Sequence, residues 1–116
     1  MPSRRPSVLV VDDDQAIREV VAEVLRDEGY EVTCAENGVE ALREMRKDHH
    51  PDVVLLDLMM PVMSGWEVLE QVQASDELVR IPVVVVSAMS APGAREHLAK
   101  PIDLERLLAT VGRLTS

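Results

Sequence analysis

One cysteine, Cys34, among 116 residues leaves no internal disulfide to staple the chain, and fits a reducing compartment. Basic residues are scarce as well: 12 against 21 acidic ones give a formal charge of −9, which argues against a nucleic-acid partner or an anionic membrane surface. Arg4 and Arg5 are the local exception, and their Pro- and Ser-containing surroundings read as a flexible, solvated tail over residues 1–7. No apolar run reaches the roughly 18 residues that span a bilayer, and the N-terminus lacks the apolar stretch of a signal peptide. These absences describe a cytoplasmic protein with one domain over residues 8–116, since a chain of this length supports one hydrophobic core.

What is present is repetition of two periods. Val8 to Val11, Val53 to Leu56 and Val83 to Val86 are short unbroken apolar runs, each ended by a polar residue, as interior strands of a parallel sheet read when both faces are covered. Helical stripes lie between them. Ile17, Val20, Val21, Val24 and Leu25 form the first, with Gly29 placed to stop it. Ala41, Leu42 and Met45 form the second behind Asn37 as N-cap, and Val68, Leu69 and Val72 the third behind Ser64. Leu104, Leu107, Leu108 and Val111 form the last, behind Asp103. Glu31 to Ala35 alternates instead, which suits an edge strand. Alternating strands and helices with right-handed crossovers give a doubly wound α/β sheet, whose sites form beyond the carboxyl ends of the strands.

That rule directs attention to Asp12-Asp13-Asp14 after the first strand, Asp57 at the end of the third and Ser87 at the end of the fourth. If the first and third strands are neighbours, carboxylates converge and repel unless a proton or cation intervenes. Oxygen ligands without His or Cys suit Mg²⁺, which also accepts phosphate oxygens. Ser87 offers a hydroxyl and Lys100 a compact positive charge to a phosphoryl group, while Asp57 has the chemistry of a carboxylate nucleophile. Asp14 suits a cap or first-turn acid better than a third ligand. His49-His50 before Pro51 suits a solvated turn better than a metal site, because adjacent side chains point different ways.

Taken in order, "VLVVDDDQAIREVV", "PDVVLLDLMMPVMSGWEVL", "IPVVVVSA" and "HLAKPIDLERLL" resemble the receiver domain of two-component response regulators over essentially the whole chain from Val8 onward. The resemblance implies a flavodoxin-like parallel five-stranded sheet of order 2-1-3-4-5. It implies that Asp12, Asp13, Asp57 and the main-chain carbonyl of Met59 hold Mg²⁺, and that Asp57 accepts a phosphoryl group contacted by Ser87 and Lys100. It also implies a cis bond at Lys100-Pro101, and a histidine kinase or phosphotransfer protein as donor with an unidentified protein downstream. His97 stands where the family usually has Tyr or Phe, so it is a packing group or a rotamer switch with a titratable ring. Met59 and Met89 would flank the phosphorylation site and slow attack of water, and Trp66 would lie near it.

The sequence departs from this family between Ser87 and Lys100, only 13 positions apart. A crossover with its own helix needs at least about 10 to 12 residues, and a fifth strand inside the interval leaves about eight, among them Pro92-Gly93, which oppose a helix. The family's fourth helix is therefore expected to be missing, with Glu96 to Ala99 kept as a short strand; about eight extended residues reach roughly 26 to 29 Å, enough for the return. The expected consequence is an uncovered apolar patch over Val83 to Val86, favouring a partner, a homodimer through the fourth and fifth strands, or a swap of the last strand and helix. The chain ends soon after the last stripe, so no output domain is expected to follow. Two other functions compete: an interaction module that keeps the fold without phosphorylation, and an aspartyl-nucleophile phosphohydrolase. The second is weakened by Met59, where that chemistry wants a second acid. The expected protein is thus a signalling module rather than an enzyme.

Overall fold

A computed structural model describes residues 5–88 and 96–116. The elements follow the predicted alternation: β1 (Ser7–Val11), α1 (Gln15–Asp27), β2 (Glu31–Ala35), α2 (Gly38–Met45), β3 (Val53–Asp57), α3 (Gly65–Gln73), β4 (Val83–Ser87), β5 (Glu96–Ala99) and α4 (Leu104–Thr115). All strand pairs are parallel and the sheet order is β2-β1-β3-β4-β5, as the resemblance implied. β1 opens at Ser7, one residue earlier than expected, because the Ser7 amide donates to the Asp52 carboxylate at 2.8 Å and ties the start of β1 to the turn before β3.

The caps are those the side chains dictate. Asp14 accepts from the Ala16 and Ile17 amides, Asn37 from Glu40, Ser64 from Glu67, and Asp103 from Glu105 and Arg106, so each helix begins where an oxygen meets its unpaired N–H groups. α1 stops at Gly29, whose φ of +95° a side chain would resist, while the Tyr30 amide closes back on the Leu25 carbonyl at 3.1 Å.

Strand pleat divides the core in two. Leu9, Val11, Val54 and Leu56 face α2 and α3, burying Met45 and Val68 completely. Val8, Val10, Leu55 and Val84 face α1 and α4, burying Leu25, Leu107 and Val111 completely. Each such side chain contributes on the order of 1.5–3 kcal/mol by leaving water. The outcome is a rigid floor from which the carboxyl ends of β1, β3 and β4 project.

The crossover gives one correction. The expected uncovered patch does not fall on Val84 to Val86: Val84 and Val85 are fully buried and Val86 nearly so, while Val83 is partly buried. Val84 and Val86 pack in the core against α4, and on the opposite face Val83 packs against the cluster shared with α2 and α3. Exposure falls instead on the edge strand β5, where His97 and Ala99, register partners of Val85 and Ser87, face outward while Leu98 is buried. His97 is thus exposed rather than packed inside. The absence of a crossover helix is an expectation that lies on residues 89–95, outside the described residues, as does the flanking role of Met89. Glu96 to Ala99 do form the short fifth strand. Among the described residues, no helix is long and apolar enough to cross a membrane.

Candidate functional site

β1 and β3 lie side by side with Val11 opposite Leu56, so the next residue of each, Asp12 and Asp57, emerges at one place. Carboxylate oxygens of Asp12, Asp13 and Asp57 lie within 4.8 Å of one another. Asp12, Asp57 and Ser87 are the buried polar residues among those described, and Asp13 is exposed. A deep acidic pair thus has a third carboxylate at its mouth.

Asp12 is fixed from four directions. Its amide donates to the Ala35 carbonyl of β2 at 3.2 Å, and one carboxylate oxygen accepts from the Asp14 amide at 2.9 Å. Its other carboxylate oxygen accepts from Lys100 Nζ at 3.2 Å, and its main-chain carbonyl accepts from Arg18 Nη1 at 2.7 Å. Lys100 Nζ also stands 3.5 Å from Asp57 Oδ1, so one ammonium is shared by two buried carboxylates. The Lys100 amide donates to the Ser87 carbonyl at 3.0 Å, which joins the end of β4 to the residue after β5. The peptide bond between Lys100 and Pro101 is cis. The Met59 amide reaches Asp57 Oδ1 at 3.4 Å, while the Met59 side chain is exposed.

The electrostatics follow from this crowding. Burial, and then the Asp12 charge, push the Asp57 carboxyl above the ordinary carboxylate range, with Lys100 acting the other way. Burial would depress the Lys100 ammonium, but the hydrogen bond and charge of Asp12, together with Asp57, outweigh it and raise its value. Three carboxylates against one ammonium leave excess negative charge, and all the available ligands are hard oxygens. That donor set fits a Mg²⁺ ion, which commonly takes one or two carboxylates and keeps other positions for water or phosphate.

Two contributors escaped sequence reasoning. Arg18 lies one turn into α1 and looks like a surface residue of that helix, although it reaches back to Asp12. Gly65 opens α3 against the backbone of β3: an added Cβ would collide with the Asp57 carbonyl oxygen and lie 2.7 Å from Leu58 Cα. A glycine at a helix's first position, directly after its Ser64 cap, was the available signal. Gly65→Ala is expected to lower unfolding free energy by about 2–3 kcal/mol, read as an earlier urea midpoint, because neither colliding atom belongs to a side chain that could rotate away.

The other predicted residues are placed less centrally. Trp66 follows Gly65, the residue at which α3 touches the Asp57 backbone, and its side chain is exposed. His50 does not join the acidic cluster; its Nδ1 lies 2.6 Å from the Met45 carbonyl at the end of α2. Beside Lys100, an apolar groove of about 340 Å³ runs between α1 and the turn into α4, lined among others by Ile17, Val20, Ile102 and Leu104.

Comparison with known proteins matches this arrangement. Residues 8–112 match the profile of the response regulator receiver domain. The polar-differentiation response regulator DivK of Brucella anthropi is 32% identical over 114 residues, covering 90% of this chain and 92% of that protein. The response regulator MprA of a Mycobacterium species is 39% identical over 98% of this chain and 51% of its own length, so the chain spans about half of it. That alignment runs to 123 residues, longer than this chain, and so includes positions with no counterpart here. The chemotaxis response regulator CheY4 of Vibrio cholerae superposes with a TM-score of 0.85 at 35% identity, over 96% of this chain and 99% of that one. The receiver domain of the sensor histidine kinase PA1611 of Pseudomonas aeruginosa, with a magnesium ion coordinated in its active-site cleft, superposes at 0.86 with 26% identity, over 97% and 98% of the two chains.

Proposed function

The chain belongs to the response regulator receiver family, and from that premise we propose that Asp57 accepts a phosphoryl group from a histidine kinase or phosphotransfer protein in a Mg²⁺-dependent reaction. The observation that carries this reading is the convergence of Asp12, Asp13 and Asp57 with Lys100 Nζ 3.5 Å from the nucleophile. Asp12, Asp13, Asp57 and the Met59 carbonyl would hold Mg²⁺, which when bound offsets carboxylate charge and takes a phosphoryl oxygen.

The remaining steps belong to the chain's own groups. An Asp57 carboxylate oxygen attacks phosphorus; the new O–P bond forms as the N–P bond of a phosphohistidine breaks, and the imidazole leaves with the electron pair and takes up a proton. Lys100, already between Asp12 and Asp57, neutralises a phosphoryl oxygen, and the Ser87 hydroxyl donates to another. Such transfer depends on positioning and charge neutralisation, which a rigid sheet end supplies. The apolar groove beside Lys100, with Val20 half exposed, gives a donor protein a dry seat next to the reacting atoms. The exposed face of β5 is the counterpart on the output side, available to a downstream protein or a second copy.

Acetyl phosphate with Mg²⁺ is expected to shift the protein on a phosphate-affinity gel, and the absence of any shift in wild type would sink the proposal. Mg²⁺ at ten times its dissociation constant is expected to stabilise the fold by about 1.4 kcal/mol, read by thermal melting. Its affinity should fall as pH drops through the elevated Asp57 value, because a protonated carboxyl must release its proton to bind; calorimetric titrations across acid pH would show it. The phosphohydrolase alternative lacks an acid at Met59, whose side chain is an exposed thioether.

A further inference from the structure

Arg18 takes no part in the reaction above, yet it makes one of the shortest side-chain hydrogen bonds in the structure: Nη1 lies 2.7 Å from the Asp12 carbonyl oxygen. It reaches back from the second turn of α1 over the β1–α1 turn. That carbonyl belongs to the peptide plane joining Asp12 to Asp13, so its direction also fixes the Asp13 amide and the point from which the Asp13 carboxylate departs. Asp12 itself has further anchors in Ala35, Asp14 and Lys100. Asp13 is exposed and depends on the peptide plane behind it.

We propose that Arg18 is a positioning residue for the acidic cluster: by holding the Asp12–Asp13 peptide it keeps the Asp13 carboxylate aimed at the cation, without touching the cation or the phosphoryl group. The inference rests on the Mg²⁺-binding reading above and deepens it. Partners that orient metal ligands typically contribute about 10- to 100-fold in affinity. The chemistry of Arg18 suits the task, since a planar guanidinium offers fixed donors and remains charged at any working pH. Its partial burial makes the lost donor harder for water to replace.

Isothermal titration of Mg²⁺ into the intact chain tests this. Arg18→Met keeps the apolar stem and removes the donor, and is expected to weaken Mg²⁺ binding by about tenfold. Arg18→Lys, with one compact donor on a shorter reach, should fall between that variant and wild type. Leu25→Ala, a core truncation near the far end of the same helix, should lower the melting temperature at least as much as Arg18→Met and leave Mg²⁺ affinity within about twofold of wild type. Mg²⁺ affinity of both Arg18 variants within about twofold of wild type would overturn the proposal. So would equal weakening by Leu25→Ala, which would assign the loss to general loosening of α1. If Arg18→Met does not fold, Arg18→Lys against Leu25→Ala decides by the same criteria. A wild type that does not bind Mg²⁺ would overturn the function proposed above along with this inference, whereas normal wild-type binding with unaffected Arg18 variants defeats the inference alone.

Discussion

Asp57→Asn is expected to abolish the acetyl-phosphate-dependent gel shift and, in Mg²⁺-free neutral buffer, to raise the melting temperature. The first effect follows from chemistry: an amide oxygen is a poor nucleophile, and Asp12, the other buried carboxylate among the described residues, is already tied to the Asp14 amide and to Lys100 Nζ. The second follows from charge. Asp57 and Asp12 are both buried beside one ammonium. Two like charges about 4–5 Å apart interact by about 3–4 kcal/mol at an effective dielectric of 20; Lys100 and residual solvent screening would reduce the net penalty to about 1 kcal/mol. Because the folded-state Asp57 value is raised, the stability this group contributes is present below the ordinary carboxylate range and lost as pH rises through the elevated value. Wild type therefore carries the penalty at neutral pH and the asparagine variant does not, a difference of about 4 °C for a domain of this size. The gap should close in acid and reverse with saturating Mg²⁺. A variant no more stable than wild type without Mg²⁺ would show that Lys100 already compensates the pair.

Lys100→Met is expected to reduce phosphorylation by about 10²- to 10³-fold, the range associated with loss of one preorganised donor to developing charge. It should also destabilise the fold by about 3 kcal/mol, because two buried carboxylates lose their counter-charge. The sign with pH is opposite to that of Asp57. The raised Lys100 value means that its contribution is fully present below the ordinary ammonium value, through neutrality, and is lost as pH rises past the elevated one. In an Asp57→Asn background the same substitution should destabilise less, since only Asp12 is then left unpaired; urea midpoints for the four proteins give the coupling. Additive losses would show that Lys100 and Asp57 do not share charge in the folded protein.

Much of this was legible because it depends on short-range rules. Runs such as Val8 to Val11 announce buried parallel strands, and Asp14, Asn37, Ser64 and Asp103 announce helix starts, since each signal lies within a turn of the element it governs. Asp12, Asp57 and Lys100 could be brought together because the family resemblance implied a strand order, and strand order sets where strand ends meet. Contacts set by side-chain reach and close approach were not legible. Nothing in the spacing told that Arg18 would turn back to Asp12, nor that α3 would press on the Asp57 carbonyl closely enough to require Gly65. The expected exposure over Val83 to Val86 failed for a related reason. It followed from which helix should cover which strand, whereas Val84 and Val86 pack against α4 and Val83 against the side of α2 and α3.

The bond from the Lys100 amide to the Ser87 carbonyl has a further consequence. It lets the sheet ladder, rather than the intervening chain, fix the spacing of the two groups proposed to contact phosphoryl oxygens. Connector length and catalytic geometry are then separable variables: each doubling of a flexible connector adds only about 0.6 kcal/mol of closure entropy. A segment inserted between Ser87 and Glu96, whether a reporter or a helix designed to cover β5, could rebuild the signalling surface while leaving the acceptor site's dimensions unchanged.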